Sequence, residues 1–176
     1  QVAKTTLLAA VAMAEAVQQV TGLGPGIKWP NDLYLGGRKV CGILTELKGQ
    51  ADAVEYLVLG VGVNVNQREE DFPPELRRQA TSLLLAGGGR VERAALLASF
   101  LREFEARYRP WQEAGREDWL EEWRRRNITL GRNVKITQLE ESFFGRAVAL
   151  DGDGSLVVEG EDGRRRVFRA GDVSLL

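Results

Sequence analysis

Histidine is absent from this 176-residue chain. Without it, Ser–His and Cys–His nucleophilic schemes and His-ligated metals are excluded. One cysteine cannot form an intrachain disulfide, so nothing marks an oxidising compartment. Charge of one sign is not in excess: 24 basic against 25 acidic side chains leave a formal net charge of -1. Bulk nucleic-acid binding through counterion release therefore has no driving surplus. No stretch approaches the roughly 20 uninterrupted apolar residues of a membrane-spanning helix. Nor does a basic leader with an apolar core open the chain, so the cytoplasm is the default location. What remains, 44% apolar and 28% charged, is the composition of an ordinary globular protein.

The chain opens on Gln1 and enters a helical pattern almost at once. Thr5 to Val17 is apolar nearly all round, which predicts a buried helix running from Thr5 to Val20 and stopped at Gly22. A buried helix in that position needs partners, and the expectation is that the sequence is a fragment whose upstream residues supplied some of them.

Ile27-Lys28-Trp29, cut by Pro30, reads as a short strand. Leu33 to Leu35, then Gly36-Gly37, then Lys39 to Leu47 read as a β-hairpin, because a Gly-Gly turn can take positive φ at both positions. A strand over Glu55 to Val65 carries Gly60 and Gly62; glycine there weakens packing unless something must approach the backbone. Between Gln67 and Gly89 the expectation is loops and a short helix started by Pro74. Val91 to Tyr108 and Asp118 to Arg126 read as amphipathic helices, their aromatics packing residues by default.

From Gly131 onward, short alternating strands at 134–137, 144–150, 156–159 and 165–168 are divided by turns at Glu140-Glu141, Asp151-Gly152-Asp153-Gly154 and Glu161-Asp162-Gly163. That spacing suggests a small barrel. The Asp-Gly-Asp-Gly run lacks the other ligands of a calcium loop and reads as a tight hairpin turn.

Chemistry concentrates in Lys28-Trp29-Pro30-Asn31-Asp32 and Arg38-Lys39-Val40-Cys41-Gly42-Ile43-Leu44. Two lysines and an arginine on one hairpin, beside an Asn and an Asp at a strand end, could be a solvated edge or cations held where negative charge develops. Cys41 has no base near it in sequence and reads as a small buried hydrophobe.

These two blocks, with Gly60-Val61-Gly62-Val63-Asn64 following in order and spacing, resemble biotin protein ligases. Thr81-Ser82-Leu83 and the ending Gly171-Asp172-Val173-Ser174-Leu175 extend the resemblance over the whole chain. It implies an α+β fold: a mixed β-sheet with packed helices, of the class II synthetase type, over residues 1–128, then an SH3-like barrel over 129–176. The first unit would be a partial catalytic domain. The implied activity forms biotinyl-5'-AMP from biotin and ATP with Mg²⁺, then transfers biotin to a lysine of a biotin carboxyl carrier protein, the acetyl-CoA carboxylase subunit.

Matched residue by residue, Lys39 is the implied cation between carboxylate and phosphate, and Gly42 and Leu44 line the biotin pocket. Asn31, Val63 and Asn64 fall at the adenine. Asp32 either orders the site or helps the incoming amine lose its proton, and Lys28 is a ligand or a supporting charge. No metal ligand is assigned. The family's Gly-Arg-Gly-Arg loop does not occur in the sequence, so the expectation is an incomplete, poorly active ligase. A ligase for lipoate or octanoate, a non-catalytic nucleotide or peptide binder, and a repressor with an upstream helix-turn-helix are the competing readings. Relatives pair edge strands, which makes a homodimer an implied assembly.

Overall fold

A computed structural model describes residues 2–50, 53–87, 89–138 and 141–176. Helix α1, Val2–Thr21, is the axis of the first domain. Its alanines 9, 10, 12, 14 and 16 are fully buried, and these short side chains let a sheet close on one side and two helices on the other. It stops where expected, at Gly22 with φ +76°.

The sheet runs β1 (Gly26–Lys28), β2 (Asp32–Leu35), β3 (Arg38–Gln50) and β4 (Ala53–Val63), in that spatial order and antiparallel throughout. It is mixed only through two isolated parallel bridges, Ile27 with Asn127 and Lys39 with Ala80. Gly36 and Gly37, at φ +56° and +75°, make the primed turn that joins β2 to β3.

The helix expected from Pro74 is a series of turns, with the Ala80 amide donating to the Leu76 carbonyl. It cannot continue, because Gln79 to Thr81 lies extended beside Lys39: the Lys39 amide donates to the Gln79 carbonyl and the Thr81 amide to the Lys39 carbonyl, each at 2.8 Å. A single 3₁₀ turn covers Glu69–Asp71, and α2 covers Leu83–Gly87.

Helix α3 also departs from expectation. It spans Arg93–Ala114, past Tyr108 and through Pro110. An interior proline costs about 3 kcal/mol. Tertiary packing offsets it: Trp111 is buried edge-on between the Tyr108 and Trp119 rings, and its indole donates to Glu117. Gly115, left-handed at φ +65°, ends the helix. Helix α4, Trp119–Arg126, follows.

The C-terminal strands β5 (Asn133–Gln138), β6 (Glu141–Leu150), β7 (Leu156–Glu159), β8 (Arg165–Phe168) and β9 (Asp172–Leu175) form one antiparallel sheet in the order β8-β7-β6-β5-β9. Among the described residues its edges β8 and β9 do not pair, so this SH3-like unit is a curled open sheet rather than a closed barrel. It buries Val134, Ile136, Ala147, Leu156, Val158 and Val173, which continue the hydrophobic cluster of the first domain. Glu140 lies outside the described residues, and Glu141 already opens β6. The Asp-Gly-Asp-Gly run is a hairpin turn, its aspartates accepting amides of the turn itself: Gly152 N–H to Asp151, and Ser155 N–H to Asp153.

Candidate active site

One rung crosses all four strands of the first sheet: Lys28 opposite Asp32, Asp32 opposite Gly42, and Gly42 opposite Gly62. Regular alternation would put Lys39 on the other face from Gly42. A β-bulge corrects this, since the register shifts between Leu33, opposite Cys41, and Tyr34, opposite Lys39. The inserted Val40 and its neighbour Cys41 are both buried, which leaves Lys39 free to turn outward with Gly42 and Leu44. Lys39 then reaches back across Gly42 to Asp32, with Nζ 2.6 Å from Oδ1.

Lys28 approaches the other carboxylate oxygen at 3.9 Å, donates to the Tyr34 hydroxyl at 3.3 Å, and lies over that ring. The two lysines differ in access. The Lys28 side chain is 11% exposed and that of Asp32 10%, whereas Lys39 keeps 43%. Two ammonium groups share one carboxylate, so the cluster carries a surplus positive charge, and the accessible cation is Lys39. A half-exposed ion pair adds only about 0–1 kcal/mol to stability, so folding does not account for a lysine in that place.

Gly42 has a second reason to be glycine. A Cβ there would stand 3.1 Å from Lys39 Cε and 3.2 Å from Nζ. Gly60 and Gly62 meet no such crowding, and with Gly42 they leave a patch of β3 and β4 backbone without side chains. Leu44, opposite Gly60, is 59% exposed at the end of this floor.

Lys28, Asp32, Tyr34 and Lys39 line one wall of a cleft of about 860 Å³, whose far wall is Arg132, Asp172 and Ser174 of the C-terminal domain. Asn31 and Leu44 line a second, more apolar pocket of about 460 Å³, with Thr6, Thr45 and the 153–155 turn. Asn31 donates its side-chain amide to the Ile43 carbonyl at 2.7 Å, and Asn64 donates to that of Thr81 at 3.0 Å. Val63 sits opposite Cys41 and packs against the core. The fold thus gathers Lys28, Asp32, Lys39 and Gly42, places Leu44 with Asn31 at the neighbouring pocket, and leaves Val63 and Asn64 at the margins. Tyr34 could have been found from the alternation of β2; no sequence signal brings Arg132 or Asp172 here.

Cys41 behaves as a hydrophobe. Burial first, then the Asp32 charge, push its thiol up to about 12, against the opposing pull of Lys39. Gly163 to Arg166, the chain's nearest approach to an Arg-Gly loop, is an exposed turn running into β8, with Arg164 paired to Asp162 and Arg165 to Glu159.

Residues 2–64 match the family described as "Biotin/lipoate A/B protein ligase family", and residues 129–176 match "Biotin protein ligase C terminal domain". The chain belongs to the biotin protein ligase family. Among biotin protein ligases and their kin, it is 38% identical over 170 residues to the "Bifunctional ligase/repressor BirA" of Bacillus spizizenii, covering 97% of this chain and 52% of that one. It is 35% identical to the "Biotin--[acetyl-CoA-carboxylase] ligase" of Mycobacterium tuberculosis, over 96% of this chain and 60% of the relative. The biotin protein ligase of Aquifex aeolicus, solved in complex with biotin and ATP, superposes with a TM-score of 0.84 at 27% identity, over 100% of this chain and 72% of that one. The chain therefore spans about half the length of the curated relatives it matches. No helix among the described residues is long and apolar enough to cross a membrane.

Proposed function

We propose that this chain carries the Lys-bearing part of the active site of an ATP-dependent biotin–protein ligase. Biotin's carboxylate oxygen attacks the α-phosphorus of ATP, and the bond from that phosphorus to pyrophosphate breaks. A lysine amine of a biotin carboxyl carrier protein then attacks the acyl carbon of biotinyl-5'-AMP, and AMP leaves with the bonding pair. Both reactants of the first step are anions, so a cation fixed before they meet lowers the barrier without having to reorganise.

Lys39 is that cation. Asp32 aims it, and is itself held by buried Lys28; in the second step Asp32 either keeps this ordering role or takes the proton of the attacking amine. The floor of Gly42, Gly60 and Gly62 lets the ligand lie on the backbone, with Leu44 as an apolar wall for biotin. Asn31, Val63 and Asn64 serve the adenine end. Because each asparagine already spends a side-chain N–H on a backbone carbonyl, part of that service is holding the strand ends. We place the domain boundary between residues 128 and 129, the site in the cytoplasm, and any homodimer contact on a sheet edge.

Mg²⁺ is the remaining expectation. The described residues offer no group of three metal-ligating side chains, and the Asp32 carboxylate is committed to two lysines. A magnesium ion there would be held chiefly by the nucleotide's phosphates.

The observation that carries this reading is the half-exposed Lys39 ammonium, held by Asp32 across Gly42. The sequence contains no Gly-Arg-Gly-Arg run, and we infer slow turnover by the 176 residues alone. With such a segment supplied upstream, Lys39→Gln is expected to cut biotin-dependent pyrophosphate release by about 10²–10³-fold, with the melting temperature within a few degrees of the parent. An unchanged rate removes Lys39 from the chemistry, and lipoate or octanoate outcompeting biotin moves the substrate.

A further inference from the structure

Trp29 stands between Lys28 and the Pro30-Asn31-Asp32 turn, and it is 1% exposed. Both of its N–H groups go to the C-terminal domain. The backbone amide donates to Thr129 Oγ1 at 2.9 Å, and indole Nε1 donates to the Gly154 carbonyl at 3.0 Å.

Each acceptor is itself fixed. Thr129 is fully buried, its own amide donates to Asn127 Oδ1, and the Ile128 amide donates to the Ile27 carbonyl at 2.9 Å. The entry to the C-terminal domain is thereby stitched along the outer edge of β1. Gly154 sits in the hairpin turn between β6 and β7 at φ +89°, so near α1 that a Cβ would come within 3.0 Å of Leu7. The segment carrying Lys28 and Asp32 is held from two sides by a domain that otherwise faces these residues only across the 860 Å³ cleft.

We infer that Trp29 is a positioning residue, through which Thr129 and Gly154 set the Lys28–Asp32 turn and hence the aim of Lys39. The inference rests on the proposed ligase reading for its consequence in turnover, and on geometry alone for the coupling itself. A buried hydrogen bond lost on one side leaves its donor unpaired and loosens what it held. Here that is a two-point clamp three residues from the carboxylate that holds the cation.

The test uses amide hydrogen exchange on the full chain. Thr129→Val removes the acceptor at nearly constant volume, Thr129→Ser restores a hydroxyl, and Trp29→Phe removes only the indole donor. Val134→Ala, in the C-terminal core away from the clamp, controls for general loosening of that domain. In Thr129→Val the amides of Trp29, Asn31, Asp32 and Lys39 are expected to exchange about tenfold faster, with recovery in Thr129→Ser and no such pattern in Val134→Ala. If Thr129→Val does not fold, Trp29→Phe is expected to show the same spread. Acceleration confined to Trp29 in Thr129→Val, or absent at Asp32 and Lys39 in Trp29→Phe, overturns the inference. So does a spread that Val134→Ala reproduces. With the upstream segment supplied, the expected companion is a fall in kcat for adenylate formation at unchanged KM for biotin. A parent protein that makes no adenylate refutes the ligase reading instead, and the exchange pattern still decides the positioning role.

Discussion

At the scale of single residues, the site turns on what stands next to Lys39. The Lys-Trp-Pro-Asn-Asp block and Lys39 itself are readable in the sequence, because charged side chains beside a Pro-Asn-Asp turn and a glycine are an unusual combination on a hairpin. The division of labour between the lysines is not readable, since burial of Lys28 depends on Tyr34 closing over it. Gly42 was legible as a glycine needed near a ligand, but not as one needed by Lys39. That second role makes a prediction. Gly42→Ala puts a methyl against the end of the Lys39 side chain and shifts its ammonium, and biotinyl-adenylate formation should fall about tenfold. Stability should change by no more than about 1 kcal/mol. Urea titration alongside the rate assay separates the two; a loss of stability with the rate intact would mean that the glycine serves only packing.

Among the elements, an all-round apolar run located α1, a Gly-Gly turn the β2–β3 hairpin, and alternation the C-terminal strands, because each has a long or repeated signal. Periodicity missed the continuation of α3 because a proline is a local signal, whereas the Trp111 and Trp119 packing that overrides it comes from outside the helix. The bulge at Val40 was equally invisible: one extra residue changes which face Lys39 occupies, yet leaves the run of residue types as it was. Alanines 9, 10, 12, 14 and 16 of α1 are fully buried between the sheet and the helices packed on it. Ala12→Leu is expected to destabilise the chain by about 1–3 kcal/mol through overpacking, visible as a lower urea midpoint; no change would show slack between α1 and its neighbours. Glu103 of α3, which accepts from Gln19 of α1, ties those helices together. Burial raises its carboxyl, but the hydrogen bonds from Arg107 and Gln19 and the charges of Arg107 and Arg102 outweigh that and hold it below its ordinary value. A carboxyl lowered on folding stabilises above its unfolded pKa and loses that contribution as pH falls through the folded value. The urea midpoint should therefore drop from about pH 5 downward, and less steeply in Glu103→Gln. Identical slopes would show that this carboxyl is not shifted.

For the molecule as a whole, the chain joins a sheet that presents a cation to an SH3-like unit that closes the far side of its cleft. The order of these units was legible from the change in strand spacing after Gly131. Their contact was not, since nothing in the sequence joins Trp29 to Thr129 or Gly154, 100 and 125 residues away. The central claim is that a lysine turned outward by a bulged strand faces the anionic centre of the reaction. A crystal structure of the protein with biotinyl-5'-AMP tests it most directly. The account predicts the adenylate lying over Gly42 and Gly62, with Lys39 Nζ within about 4 Å of a phosphate oxygen, the reach of an ion pair. An adenylate seated away from β3, or a Lys39 ammonium directed into solvent with the ligand in place, would contradict it.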